Sequence, residues 1–329
     1  SNFGIFPRDE QLVDYIVEQK EQGNFDGIFM PTWAKTHGEQ IIKLAKKLQQ
    51  SGVDEIFGFS LQSTNPETLK NVKRKNTYDI QGFAPIIKDM SDANLSSYTE
   101  LIFPMPGDTI YNFKRGLHEI LDMPAPFQML QVNSLSRLSN TEFNTGFKEL
   151  TWANIKGTAK PYDNDVIDEI CVATSTLTKE QVFEGLFYSR SFVIPMYWYG
   201  LATYMLDENY KMHSNRSELV ENIYTRLFEI NEFKKLKQEM KDHYFKSIDN
   251  YDHIGYTIVN DELSDYYTDT AYSHLYYIKN NIFDILVEMY PEYGYIGNEN
   301  KKDMKSIDNL ESWLQDIHVR GRFTTAWKN

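Results

Sequence analysis

The sequence predicts an α/β fold: a parallel sheet under helices over residues 1–143, a connector over 144–165, and a mostly helical domain over 166–329. Three observations predict it. Short apolar runs alternate with amphipathic stretches through the first part, and the runs begin near residues 3, 27, 55, 98 and 127, spaced like strand-plus-helix units. Apolar residues in the intervening stretches recur three or four apart, the helical period. After Phe143 this rhythm stops and helix signals and tyrosines dominate.

In chain order, Phe3 to Phe6, Gly27 to Thr32, Glu55 to Ser63, Tyr98 to Phe103 and Phe127 to Val132 read as strands. The helices between them are Asp9 to Gln22, Glu39 to Gln50, Pro66 to Lys73 with Gln81 to Met90, and Ile110 to Leu121. In the second, Ile41, Ile42, Leu44, Ala45 and Leu48 form one stripe while Lys43, Lys46 and Lys47 face water. Such alternation argues for a parallel sheet, open or closed into a barrel, with ligands gathering at the carboxyl ends of the strands. The polar residues at those ends are Trp33 and Lys35, Ser60, Gln62 and Ser63, Glu100, and Gln131 and Asn133. The connector runs from about Asn144 to Asp165. Beyond it, Thr178 with Gln181 fits a capping box opening a helix to about Leu206, kinked at Pro195. Further helices are expected at Ser217 to Ile230, Glu232 to Ile248, Leu263 to Tyr290 and Ile307 to His318.

The 329 residues carry a net charge of −13, with 41% hydrophobic and 25% charged residues, which describes a globular chain long enough to bury a core. An acidic balance disfavours nucleic acid, whose affinity comes mainly from clustered Lys and Arg. Apolar stretches such as Phe192 to Leu206 are broken by Pro195 and Gly200 and fall short of the roughly 20 residues that span a bilayer, so no membrane span is expected. One cysteine, Cys171, excludes an intrachain disulfide and any metal site built from several thiolates of this chain. The histidines are scattered without an H-E-x-x-H pair, and no metal site is assigned. Ser1 opens the sequence with neither Met nor a signal segment, which reads as a processed chain or part of a longer polypeptide.

Two stretches carry the chemistry. Phe57 to Asn76 is a strand ending in Ser60, Gln62 and Ser63 that enters a helix through Asn65, Pro66 and Glu67, presenting several hydrogen-bonding groups to a polar ligand. Capping alone also explains it, with Thr64 or Asn65 as N-cap, Pro66 at the first helical position and Arg74 as a solvated last-turn cation, and local chemistry favours that account. Tyr98 to Thr109 places Glu100 in an apolar strand, where an ionised carboxylate needs a partner. The turn Pro106-Gly107-Asp108-Thr109 either aims amides at an anion or caps the next helix, and the cap suffices.

Together, Asn2-Phe3-Gly4, the run Ser60 to Leu69 with Arg74, and Glu100-Leu101-Ile102 with Pro106 to Thr109 resemble the radical S-adenosylmethionine enzymes, most of all those with a cobalamin-binding domain ahead of the radical domain. Cys171 to Thr178 and the aromatic stretch Phe187 to Leu201 are similar to the helical region after the barrel in that subgroup. The resemblance implies an incomplete (β/α)6 partial barrel of about five units, matching the family's second to sixth, and it implies three cofactors: S-adenosylmethionine, a 4Fe-4S cluster and cobalamin. The first strand, its C-x-x-x-C-x-x-C cluster loop and the cobalamin domain have no counterpart here. By the same resemblance Asn2, Phe3 and Gly4 lie near the methionine amino group, Ser60 and Gln62 near the ribose and carboxylate, and Arg74 on the carboxylate. Glu100 faces the cofactor, Gln131 and Asn133 form the sixth-strand lip, and Lys35 and Ser63 complete the cofactor set. Phe103 before Pro104 replaces a usual glycine, and Asp108 stands where Glu is commoner.

The resemblance implies the C-terminal portion of an enzyme that generates a 5′-deoxyadenosyl radical and methylates or rearranges a small molecule or lipid. It would be inactive without the missing N-terminal segment or a partner chain supplying the cluster. The alternative is a degenerate, non-catalytic barrel acting as a binding or partner subunit. Cluster chemistry implies a reducing cytoplasm. With Phe3 to Phe6 as an uncovered edge, poor solubility of the chain alone is expected.

Overall fold

Gly4, at φ 97°, turns the chain where a strand was expected. Phe6 is already the residue before the first helix, Pro7 takes its first position, and the Asp9 carboxylate accepts from the Gly4 and Phe6 amides at 2.9 and 3.0 Å. Phe3 keeps one isolated parallel bridge to Trp33, with the Ala34 amide donating to the Phe3 carbonyl at 2.9 Å. The two N-terminal runs therefore show a single bridge residue, Phe3, and no strand, among the described residues. These are 3–27, 29, 31, 33–34, 38–53, 57–74, 76, 79–93, 95–123, 127, 129–139, 141–144, 146–156, 167–194, 216–250, 257–259 and 262–264 of a computed structural model.

The next elements follow the sequence reading closely. They are α1 (Pro7–Glu21), α2 (Gly38–Gln50), β1 (Phe57–Gln62), α3 (Pro66–Asn71), α4 (Ile80–Asp92), β2 (Ser97–Phe103), α5 (Ile110–Leu121) and β3 (Met129–Ser134). The strands form a parallel sheet in the order β1-β2-β3, so the chain has a mixed α/β fold. In β1 and β2 burial alternates strictly. Phe57, Phe59, Leu61, Thr99, Leu101 and Phe103 lie on the fully buried face, and the opposite face stays half-buried. Aromatic edges run through the buried side from Trp33 to Phe57, Phe57 to Phe59, and Phe59 to both Phe83 and Phe127. The buried stripe of α2 is Ile41, Leu44, Ala45 and Leu48, while Lys43 and Lys47 reach Glu10 and Asp14 on α1.

Beyond Phe143 the structure departs from the expectation of a connector followed by a mostly helical domain. The connector contains β4 (Thr151–Lys156), and β5 (Ile167–Ala173) pairs with it in a two-stranded sheet. Trp152, Ile155, Ile170 and Val172 are alternating or β-branched residues of the kind that suit a pleated surface, a pattern too short to stand out beside the turn residues around it. Helix α6 (Lys179–Leu186) opens with the expected capping box, Gln181 accepting from the Thr178 amide and Thr178 from the Gln181 amide at 2.9 and 3.3 Å. It does not continue as α-helix but passes into a π-helix, Phe187–Val193, and Pro195 lies outside the described residues.

By compactness the chain divides into Ser1–Trp152 with Ile170–Leu186, and Ala153–Glu169 with Phe187–Asn329. In the first unit α5 and α6 pack together, and the Phe103 ring fills the space beside Gly185. The second unit holds the π-helix, α7 (Arg216–Leu227), α8 (Asn231–Asn250) and the antiparallel pair β6 (Thr257–Val259) and β7 (Glu262–Ser264). Its core is aromatic. Tyr188, Phe192 and Tyr224 pack mutually, Phe187 meets Phe233, and Lys237 sits 4.6 Å from the Phe228 ring centre. Leu263 and Ser264, expected to open a helix, are in β7 instead. The rest of that helix, the helix at Ile307 to His318 and the tyrosine runs lie outside the described residues.

Candidate functional site

The half-buried face of the sheet carries the polar residues. Parallel register sets Glu100 beside Gln131 and Ile102 beside Asn133, and the Ser60 hydroxyl meets Glu100 on that same face. Thus four of the residues singled out in the sequence, Ser60, Glu100, Gln131 and Asn133, share one surface, while Gln62 comes into register with Leu101 of the buried face. Glu100 finds the partners its position requires: the Ser60 hydroxyl donates to Oε1, and Asn133 Nδ2 donates to Oε2 at 3.2 Å. Gly58 lies on this face beneath the Tyr98 ring, which occupies the space a Cβ would need.

A bulge aims Ser60. Phe59 pairs with Thr99 and Gln62 with Leu101, so Ser60 and Leu61 together stand against the single Glu100. The strand then ends at Gln62 in the left-handed region, φ 61°. Three successive carbonyls of this bend accept side-chain donors. Thr99 Oγ1 reaches Phe59 O at 2.7 Å, Arg74 Nη2 reaches Ser60 O, and Asn76 Nδ2 reaches Leu61 O at 3.0 Å. Asn76 Oδ1 in turn accepts from Arg74 Nε at 2.8 Å.

Arg74 is therefore not the solvated cation that capping predicted. It is half-buried behind β1, where burial lowers its pKa and the charge of Glu100 opposes that shift. Capping itself is as expected, with Asn65 Oδ1 accepting from the Glu67 amide at 3.0 Å and Pro66 at the first helical position. Ser63 belongs to that turn and not to the polar face: it is 7% exposed and its Oγ accepts from the Asn65 amide at 3.1 Å. Phe3 and Gly4 are likewise engaged locally, Phe3 by the Phe29 and Trp33 rings and Gly4 by Asp9. Asn2 and Lys35 lie outside the described residues.

The Pro106 to Thr109 turn caps α5, the Thr109 hydroxyl accepting from the Asn112 amide at 3.1 Å. Asp108 is buried there at 2% exposure. Burial pushes its carboxyl up to about 6, against the Thr109 amide, the Arg115 charge and the Asn65 side chain, which all favour the ionised form. Asn76 and Thr99 escaped sequence reasoning, since a bulge depends on pairing with another strand and leaves no local pattern.

No protein-family model matches the chain. Over 145 residues, 44% of the chain, it is 26% identical to the cobalamin-dependent radical SAM methyltransferase TokK of Streptomyces tokunonensis. Over 145 residues it is 23% identical to the 2-(S-pantetheinyl)-carbapenam-3-carboxylate methyltransferase of Streptantibioticus cattleyicolor. These similarities support a distant relationship to the radical S-adenosylmethionine enzymes. The match spans 21% of the length of each of these curated relatives. Among solved structures, the radical S-adenosylmethionine methyltransferase TsrM from Kitasatospora setae, with cobalamin and a [4Fe-4S] cluster bound, aligns with 48% of this chain and 32% of its own, at 12% identity and a TM-score of 0.34. An archaeal Elp3 from Methanocaldococcus infernus covers 31% of this chain and 24% of its own, at 22% identity and a TM-score of 0.27. At these scores the structural likeness carries no argument.

Radical S-adenosylmethionine chemistry also poses a test for the residues present. A cysteine-ligated cluster needs several thiolates, and the chain has one cysteine. Cys171 is 1% exposed, donates through Sγ to the Ala173 carbonyl at 3.2 Å, and has its thiol pushed up to about 12 by burial. Cys171 does not fit a cluster site, and no His, Cys, Asp and Glu group able to hold a metal ion occurs among the described residues. Ser60, in the middle of β1, ties the Glu100 carboxylate through its hydroxyl and the Arg74 guanidinium through its carbonyl, so the sheet offers opposite charges of the kind an amino-acid ligand would need. No helix among the described residues is long and apolar enough to cross a membrane.

Proposed function

We propose that this chain is the cofactor-binding portion of a radical S-adenosylmethionine enzyme. In this reading residues 1–143 form part of a (β/α)6 barrel, 144–165 a connector and 166–329 a further domain. One observation carries it: the Glu100 carboxylate and the Arg74 guanidinium are both bonded to Ser60, through its hydroxyl and its carbonyl, and their opposite charges match the ammonium and carboxylate of the methionine moiety. Sequence similarity to a cobalamin-dependent radical SAM methyltransferase supports the assignment. S-adenosylmethionine, when bound, supplies a sulfonium whose reductive cleavage gives a carbon radical. The chain's own residues bind and orient it. Glu100, held by Ser60 and Asn133, faces the ammonium, Arg74 takes the carboxylate, and Gln131 hydrogen-bonds the remaining polar groups. Cluster thiolates come from a segment or partner chain beyond these 329 residues, because only one cysteine lies within them. Cobalamin-linked methylation or rearrangement of a small molecule or lipid, in the cytoplasm, completes the proposal. A second reading, a non-catalytic binding subunit, is favoured by that same single cysteine.

The test is equilibrium binding of S-adenosylmethionine to the purified chain, with Glu100→Gln as comparison. Removing a charge-assisted hydrogen bond is expected to weaken binding about tenfold. No binding by the unmodified chain, or binding indifferent to Glu100→Gln, overturns the site.

A further inference from the structure

Asn76 lies outside the strand ends from which the site was read, yet it touches both parts of the bend that shapes it. Its Nδ2 donates to Leu61 O at 3.0 Å and its Oδ1 accepts from Arg74 Nε at 2.8 Å. Arg74 then donates through Nη2 to Ser60 O. Leu61 and Ser60 are the two residues that stand against Glu100 alone, so their carbonyls sit where the regular ladder is broken. A half-buried carbonyl in that position needs a donor, and the loop after α3 supplies both. One side-chain amide thereby joins the strand to the cation.

We infer that Asn76 is a positioning residue: it locks the Arg74 guanidinium onto the β1 bulge and thereby sets specificity for a ligand bearing a free carboxylate. The inference rests on the reading of this face as an S-adenosylmethionine site. Among the described residues, the Arg74 guanidinium spends two of its five N–H donors on Asn76 and Ser60, which leaves three for a carboxylate. An arginine fixed at two points loses little rotamer freedom when the third partner arrives. Without Asn76 the guanidinium swings about a single bond to Ser60 O, and Leu61 O loses its side-chain donor. The Ser60 hydroxyl and Glu100 stay paired across the strands, since their bond does not involve the loop. The effect therefore falls on the carboxylate end of a ligand and spares the rest.

Two ligands separate these ends. S-adenosylmethionine carries the amino-acid carboxylate, and 5′-methylthioadenosine shares the nucleoside and sulfur but lacks the amino acid. Binding of both is measured to the unmodified chain, Asn76→Ala, Arg74→Ala and the double variant. The expected result is that Asn76→Ala weakens S-adenosylmethionine about tenfold and leaves 5′-methylthioadenosine unchanged. The double variant should bind no worse than Arg74→Ala alone, because Asn76 acts through Arg74. Equal weakening of both ligands, or additive losses in the double variant, makes Asn76 a merely structural residue and overturns the inference. If Asn76→Ala does not fold, Asn76→Ser, too short to span Leu61 O and Arg74 Nε, is read in its place, and failure of both to fold overturns it too. Failure of the unmodified chain to bind either ligand refutes instead the S-adenosylmethionine reading on which the inference stands.

Discussion

Asp108 makes the stability of this protein depend on pH in a direction opposite to most carboxylates. It is 2% exposed at the entry to α5, and burial raises its carboxyl from 3.8 to about 6. The fold thus favours the protonated form. Its contribution to stability is complete below about pH 4, is lost as pH rises to about 6, and stays lost above that. The whole change corresponds to about 3 kcal/mol, at about 1.4 kcal/mol for each tenfold change in proton affinity. Asp108→Asn removes the titration and keeps an oxygen that accepts from the Thr109 amide, which Oδ1 now does at 3.0 Å. It gives up the attraction to Arg115, so a gain of about 1 to 3 kcal/mol is expected at neutral pH, shrinking toward zero near pH 4. Urea unfolding of the chain and the variant, followed by intrinsic fluorescence from about pH 4 to 8, measures the difference directly. Parallel stability curves for the two proteins, or a variant less stable at neutral pH, refute the reasoning.

Gly185→Ala tests the packing of α6. Alanine ordinarily stabilises a helix interior by up to about 1 kcal/mol over glycine, but here its Cβ meets the Phe103 ring, which is 0% exposed and stacked on Phe113 at 4.0 Å. Overpacking should reverse the sign and cost about 1 to 3 kcal/mol in thermal or urea unfolding, and a stabilised variant would refute it. Cys171, its thiol pushed up to about 12 and 1% exposed, should resist a thiol-specific disulfide reagent at about pH 8 in the native chain and react fully in urea. Rapid native labelling would contradict its burial.

The sequence by itself determined the elements whose cause is local. Helix α5 was legible residue for residue, because Thr109 caps it and Phe113, Leu117 and Ile120 repeat at helical spacing. The three parallel strands and the polar residues at their ends were legible for the same reason, since a two-residue alternation can be read without a partner. The capping box at Thr178 and the cap at Asn65 belong with them. Where the sequence misled, a nearby feature had overridden an apolar run. Phe3 to Phe6 became a turn because Gly4 is left-handed and Asp9 collects its amide.

Only the tertiary structure decided how the site is put together. Arg74 was readable as a cation near a helix end, but its place on Ser60 O depends on a bulge that exists only when β1 is paired with β2. That pairing brings Ser60 to Glu100 across 40 residues of chain, and the pairing of β2 with β3 brings Asn133 across 33. The burial of Asp108 was likewise set by elements remote in sequence. Hydrogen bonds and burial of this kind answer to distance in space, and a linear pattern records only distance along the chain.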